Sequence, residues 1–154
     1  MRGSRRRGFS LIELLIVISI ILVIVTVALP RFINAQMFAR ETAAIKAIQT
    51  IHSAQVQYNS EYGRFAASLT ELGPPASGGP TAAAASLIGN DLAGGEKGQY
   101  RFTMTANESG YAINAIPLHY GSSGSRSFYS DQNMLLREND GPEPATTNSK
   151  ESRM

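Results

Sequence analysis

From Leu14 to Leu29 the chain has sixteen consecutive uncharged, mostly aliphatic residues, a run too long for a strand. With Phe9 to Glu13 added, the segment is about 21 residues, or roughly 32 Å of helix at ~1.5 Å per residue. That matches a hydrocarbon core of about 30 Å. The pattern then changes. Ala44, Ile48, Ile51, Gln55, Tyr58 and Tyr62 are spaced four, three, four, three and four apart, tracing one helical face with Gln55 as its polar interruption. Lys46, Gln49, Gln57 and Glu61 fall on the other faces, and Gly63 is a stop. The reading is one helix over 9–62, about 80 Å long if continuous. It is apolar all round over 9–30 and amphipathic over 31–62. Pro30 lacks an N–H and crowds the preceding turn, so it should kink the helix. The plainer alternative ends the membrane helix there and begins a second one.

Beyond Gly63 the pattern breaks into short pieces. Phe65 to Leu72 reads as a connector whose Leu69 and Leu72 cover the end of the long helix. Gly73-Pro74-Pro75-Ala76-Ser77-Gly78-Gly79-Pro80 excludes regular structure, and Ala82 to Ile88 reads as a short helix before the loop at Gly94-Gly95. Tyr100, Phe102 and Met104 alternate with polar neighbours in one strand, and Tyr111 to Ile116 makes a second across a turn at Asn107–Gly110. Ser127–Ser130 and Met134–Arg137 are further strand pieces. These strands make a small antiparallel sheet that packs on the second half of the helix, an α+β arrangement with a globular head over 63–137. Residues 138–154 carry little apolar content and two prolines, and read as a disordered tail.

Charge refines this picture. The 154 residues carry a formal charge of +2 and a pI of about 9.1. Arg2, Arg5, Arg6 and Arg7 account for that excess, leaving ten basic against twelve acidic side chains. No later segment forms a phosphate-tracking face, so nucleic acid is not an expected partner. A basic N-terminus before an apolar helix instead obeys the positive-inside rule, which keeps that end cytoplasmic. A cleaved secretory signal is the competing reading, but the apolar run is long for one. The absence of cysteine excludes a disulfide framework and thiolate metal sites.

Glu13 is the informative charge, because a carboxylate at the start of an apolar helix is costly in lipid. If the chain were cut between Gly8 and Phe9, the new amine would be a cation four residues from Glu13. Within one chain or between neighbours displaced along an axis, that amine could neutralise the carboxylate and set the register of an assembly. A carboxylate that snorkels, or that helps mark a helix start, is the alternative.

Gly8-Phe9-Ser10-Leu11-Ile12-Glu13-Leu14-Leu15 resembles the cleavage and methylation signature of the type IV pilin-like superfamily. Within it, Tyr58, Tyr62-Gly63-Arg64-Phe65, Leu69 and Leu72 are most similar to the helix-to-head junction of major type II secretion pseudopilins. The usual proline after the junction aromatic is replaced by Ala66. The resemblance implies the type IV pilin-like fold and a leader over 1–8 removed after Gly8 by a prepilin peptidase. It also implies methylation at Phe9, assembly through Glu13 and Phe9, and the helix proline at Pro30. The implied role is a subunit of a type II secretion pseudopilus supporting export of folded proteins across the outer membrane. The expected partners are further copies, other pilin-like subunits, the inner-membrane assembly platform and membrane lipid. The implied location is the bacterial inner membrane, single-pass with the head periplasmic, and then a periplasmic pseudopilus or a surface pilus. A type IV pilus subunit for adhesion, motility or DNA uptake is the alternative, and a non-assembling membrane-anchored binding protein a further one.

No cofactor is expected beyond calcium, which major pseudopilins hold in a C-terminal loop. Asp131, Asn133 and Asp140 are the candidates, with Asp91 a further acid to check, although no EF-hand register occurs. Solvated loop acids are the competing reading. His52 and His119 have no second histidine at ligand spacing and no nucleophile partner, and the glycine-rich loops lack a Walker lysine, so the chain does not read as an enzyme.

Overall fold

The computed structural model describes residues 8–107 and 109–152. Residues 1–7, on which most of the expected leader falls, and Glu108, Arg153 and Met154 lie outside them. Helix α1 spans Leu11–Tyr62, with Pro30 inside it, so the alternative of two helices divided at Pro30 is set aside. Gly63 ends it by taking φ +72°, a conformation L side chains resist, while its N–H still donates to Asn59 O at 2.9 Å.

The chain divides into two compact units, residues up to Gln36 and Met37–Met154. The first is helical from Leu11, and its large apolar side chains from Phe9 to Ile33 are all exposed. Two hydroxyls in the apolar run bond back to their own helix, Ser19 Oγ to Leu15 O at 2.7 Å and Thr26 Oγ1 to Val23 O at 2.8 Å. Polar atoms satisfied within the helix are what a lipid environment demands.

In the second unit, α2 (Leu69–Leu72) and α3 (Asn90–Ala93) are single turns. Six strands follow: β1 (Glu96–Lys97), β2 (Tyr100–Asn107), β3 (Gly110–Pro117), β4 (Ser127–Asp131), β5 (Arg137–Asn139) and β6 (Lys150–Glu151). They form an antiparallel meander in sequence order, with Phe102 opposite Ala115 and Ala115 opposite Phe128. Alternation places Tyr100, Phe102, Tyr111, Ile113, Ala115 and Phe128 on the buried face. Ala44, Ala47, Ile48, Ile51, Ala54 and Tyr58 of α1 join them in one core. The long helix followed by an antiparallel sheet is the expected α+β layout.

Three expectations are corrected. The expected strand piece Met134–Arg137 gives way to β5 at Arg137–Asn139, because Met134 takes φ +61°, which no strand residue adopts. Ala82–Ile88 is not a helix, because its N–H groups are used elsewhere: Ala85 donates to Glu71 O, Ser86 to Gly73 O, and Leu87 and Ile88 to Leu72 O, all within 2.8–3.0 Å. Ser86 has φ +58°, which breaks any helical run. The expected disordered tail is structured over residues 138–152. β5 and β6 extend the sheet, Glu138 and Ala145 are buried, and Ser127 Oγ donates to Glu143 O at 2.8 Å. Polar side chains hold this segment, so a reading by apolar content missed it.

Candidate functional site

The site that the sequence singles out begins at Gly8 and Phe9, which lie outside the helix before α1 starts at Leu11. Ser10 occupies the N-cap position and Glu13 the third helical position. The Ser10 N–H donates to Glu13 Oε2 at 3.1 Å, the reciprocal half of a capping box. Glu13 therefore satisfies an N–H that the helix start would leave unpaired, and it does so with one oxygen. This is the alternative of a carboxylate that marks a helix start, and the Ser-x-x-Glu spacing is its signal.

The head presents three polar clusters that reach from its surface into its core. At the end of α1, Tyr58 Oη donates to Ala82 O at 2.5 Å and lies 3.1 Å from Glu71 Oε2. Glu71 also accepts from Ala67 N at 3.0 Å and Arg64 Nη1 at 2.9 Å. Burial raises the Glu71 carboxyl, but the Ala67 N–H, Arg64 and Tyr58 outweigh it and hold it below the usual range. Tyr62 packs tilted against Tyr58 at 4.6 Å, Phe65 meets the Tyr111 ring edge-on at 5.1 Å, and Leu69 and Leu72 are the buried residues of α2. Gln55, fully buried, pairs with the backbone of Ala66 in both directions, donating to its O at 3.0 Å and accepting from its N–H at 2.9 Å. The polar interruption of the helical face thus fixes where the chain turns after α1.

The second cluster joins α1 to the last strands. Arg126 donates through Nη2 and Nε to Glu41 Oε2, at 2.8 and 3.0 Å, and through Nη1 to Glu138 Oε2 at 2.9 Å. Ser125 N–H and Oγ donate to Glu41 Oε1, while Lys150 and Ser152 complete Glu138. Burial raises both carboxyls, yet these donors hold both below their ordinary value. The third cluster is His52, whose two ring nitrogens reach Tyr111 Oη and Ser130 Oγ. Sequence reasoning missed the roles of Glu41 and His52. The available signal was their placement three or four residues from core positions Ala44, Ile48 and Gln55 on the same helix.

The calcium candidates are not drawn together into a carboxylate cage. Asp131 Oδ1 accepts the Asn133 N–H at 2.9 Å in a local turn, Asp140 pairs with Lys150 at 3.4 Å, and Asp91 pairs with Lys97 at 3.1 Å. Among the described residues no three His, Cys, Asp or Glu side chains gather where they could hold one metal ion.

Comparison with known proteins bears on the N-terminal end. Residues 3–29 match the prokaryotic N-terminal methylation motif. Over 71 residues the chain is 36% identical to the type IV major pilin protein PilA of Myxococcus xanthus (strain DK1622). That match takes in 46% of this chain and 32% of the relative, so the chain spans about a third of the length of the curated relative it matches.

Proposed function

We infer that this chain, a type IV pilin-like protein by its methylation motif and its fold, is a filament subunit that is stored in a membrane and polymerises through α1. The observation that carries the inference is the union of the motif over 3–29 with a helix whose apolar side chains are exposed on all sides from Phe9 to Ile33. An unpartnered apolar surface of that length needs lipid before assembly and other copies of itself afterwards.

The proposed sequence of events follows from charge. A peptidase removes the basic leader after Gly8, which frees the chain from its cytoplasmic anchor of arginines and creates an amine at Phe9. Methylation of that amine keeps its positive charge. Glu13 spends one carboxylate oxygen on its own helix start, and the other receives the Phe9 amine of an adjacent subunit. The pair replaces two costly charges in an apolar environment by one neutral contact and so fixes axial register. Pro30, which removes one backbone bond from the helix, is proposed to bend α1 along its neighbours. The head does no chemistry on a substrate, and the chain is proposed as a structural element with no resident metal, since Asp131 and Asp140 are already committed to an N–H and an ammonium.

The likeness to a type IV major pilin favours a surface pilus. A type II secretion pseudopilus is the second reading, supported by the junction Tyr62-Gly63-Arg64-Phe65 and by a head that lacks cysteine. Deletion of the gene, with complementation by wild-type chain or by a Gly8-substituted chain, separates them when surface filaments and secreted enzymes are scored together. Loss of filaments, restored by the wild type and not by the Gly8 variant, is the expected result. Selective loss of secretion transfers the protein to the pseudopilus, and restoration of both by the Gly8 variant rejects maturation after Gly8.

A further inference from the structure

The direction of the strands fixes which end of the head carries Met37. The β2–β3 turn lies at the opposite end, because Ala106 and Asn107 line one hollow with Asn59 and Gly63. β3 runs back from that turn, and the connection from β3 to β4, residues 118–126, meets α1 at Arg40 and Glu41. There Arg40 Nη1 donates to Ser122 O at 2.9 Å, and the Ser125 N–H donates to Glu41 Oε1 at 2.8 Å. The rim so formed carries two exposed aromatic side chains, Tyr120 of the connection at 51% and Phe38 of α1 at 65%. Val56 and Met134, also exposed, share a hollow farther along α1 and are not aromatic.

We propose that this rim rests in the membrane–water interface of a phospholipid bilayer while the subunit is stored, with Tyr120 and Phe38 seated at the headgroup level. An aromatic ring with a polar tip is the side chain that this layer favours, because its body leaves water while its hydroxyl stays wet. The connection loses water cheaply. The Gly121 N–H donates to Gly124 O, and the Ser122 and Ser123 N–H groups both donate to His119 O, all within 2.8–3.2 Å. Its exposed tip, His119 to Ser122, holds no carboxylate. Backbone donors already paired within the turn spare the cost of stripping them of water. The chain also keeps the rim near lipid. Phe38 follows Ile33, the end of the exposed apolar run, by five residues, and five residues reach about 18 Å at most in any conformation. This inference rests on the reading that the subunit is stored in a membrane, and extends it to a lipid contact made by the head. Drawing a subunit into a filament must then free these two rings from the interface as well as withdraw the apolar helix. The contact is aromatic and not ionic, so it should persist at high salt.

The chain has no tryptophan, so single replacements give single emitters. Tyr120→Trp, Phe38→Trp, Val56→Trp and Leu22→Trp are each placed, as full-length chains, in phosphatidylcholine nanodiscs. Tyr120→Trp should lose emission to a lipid nitroxide near the headgroup end of the acyl chain, emit at shorter wavelength than Val56→Trp, and resist quenching by aqueous iodide. Phe38→Trp should behave in the same way, and it reads the rim with the 118–126 connection unaltered. Val56→Trp should be quenched by iodide and not by the nitroxide. Leu22→Trp, in the apolar run, reports the span through a nitroxide at the bilayer centre. If it is quenched there while Tyr120→Trp and Phe38→Trp are as open to iodide as Val56→Trp, the rim contact is overturned and membrane storage stands. If Leu22→Trp is open to iodide as well, both fall.

Discussion

At the scale of single residues, the head is held by polar side chains with assigned partners inside an otherwise aliphatic and aromatic core. Arg126 is the plainest case, because it stands between Glu41 and Glu138, whose side chains are only 5% and 6% exposed. Removing it leaves buried Glu41 without the cation paired to it and leaves Glu138 to Lys150, and breaking a buried pair in this way costs about 3–5 kcal/mol. Arg126→Met should lower the stability of the head by that order in urea unfolding, although it retains much of the side chain's volume over the Phe128 ring. The pH dependence has a definite sign. Both carboxyls lie below the ordinary 4.5 in the folded protein, so their contribution is complete above that value and is lost as pH falls through the lower, folded values. The gap between wild type and Arg126→Met should accordingly narrow below pH 4.5. A gap that is constant with pH would show that the variant acts through packing alone.

At the scale of elements, what could be read in advance followed the strength of the periodic signal. The face Ala44–Ile48–Ile51–Gln55–Tyr58 repeats over many turns, and Gly63 supplies a stop with a physical cause, so the extent of α1 was legible. β2 and β3 alternate over eight residues each around a turn and were legible too. β1 and β6 have two residues each, too short for any period, and exist because longer neighbours offer them an edge. The segment 82–88 looked helical from its alanines, but propensity yielded to carbonyls of α2 and Gly73 that needed donors. The tail was misread because its anchors are charged or hydroxylic. Truncation after Asp140 should therefore destabilise the head. It removes Lys150 and Ser152 from Glu138 and the Glu143 carbonyl from Ser127 and Asn139, and unpaired buried groups cost about 1–3 kcal/mol each. An unfolding midpoint unchanged by that truncation would return the segment to a mobile tail.

At the scale of the whole molecule, the two units carry different duties. The head is closed on itself by burial and by the Glu41–Arg126–Glu138 and Tyr111–His52–Ser130 chains, whereas the large apolar side chains from Phe9 to Ile33 are exposed. The apolar helix was the most legible part of the sequence, because sixteen consecutive uncharged residues have few explanations. The structure shows that Glu13 caps its own helix, the helix-start alternative that the sequence left open and that the pattern Ser10-Leu11-Ile12-Glu13 contains. The two roles can be parted, since glutamine at this position still accepts the Ser10 N–H and carries no charge. The most direct measurement is the share of Glu13→Gln subunits found in sheared filaments, set against wild type at equal membrane levels in the same cells. Normal insertion with incorporation lost is the result predicted for a charge that pairs with the Phe9 amine of a neighbour. Incorporation at the wild-type level would show that Glu13 serves only as a helix cap, and would contradict polymerisation driven by that pair.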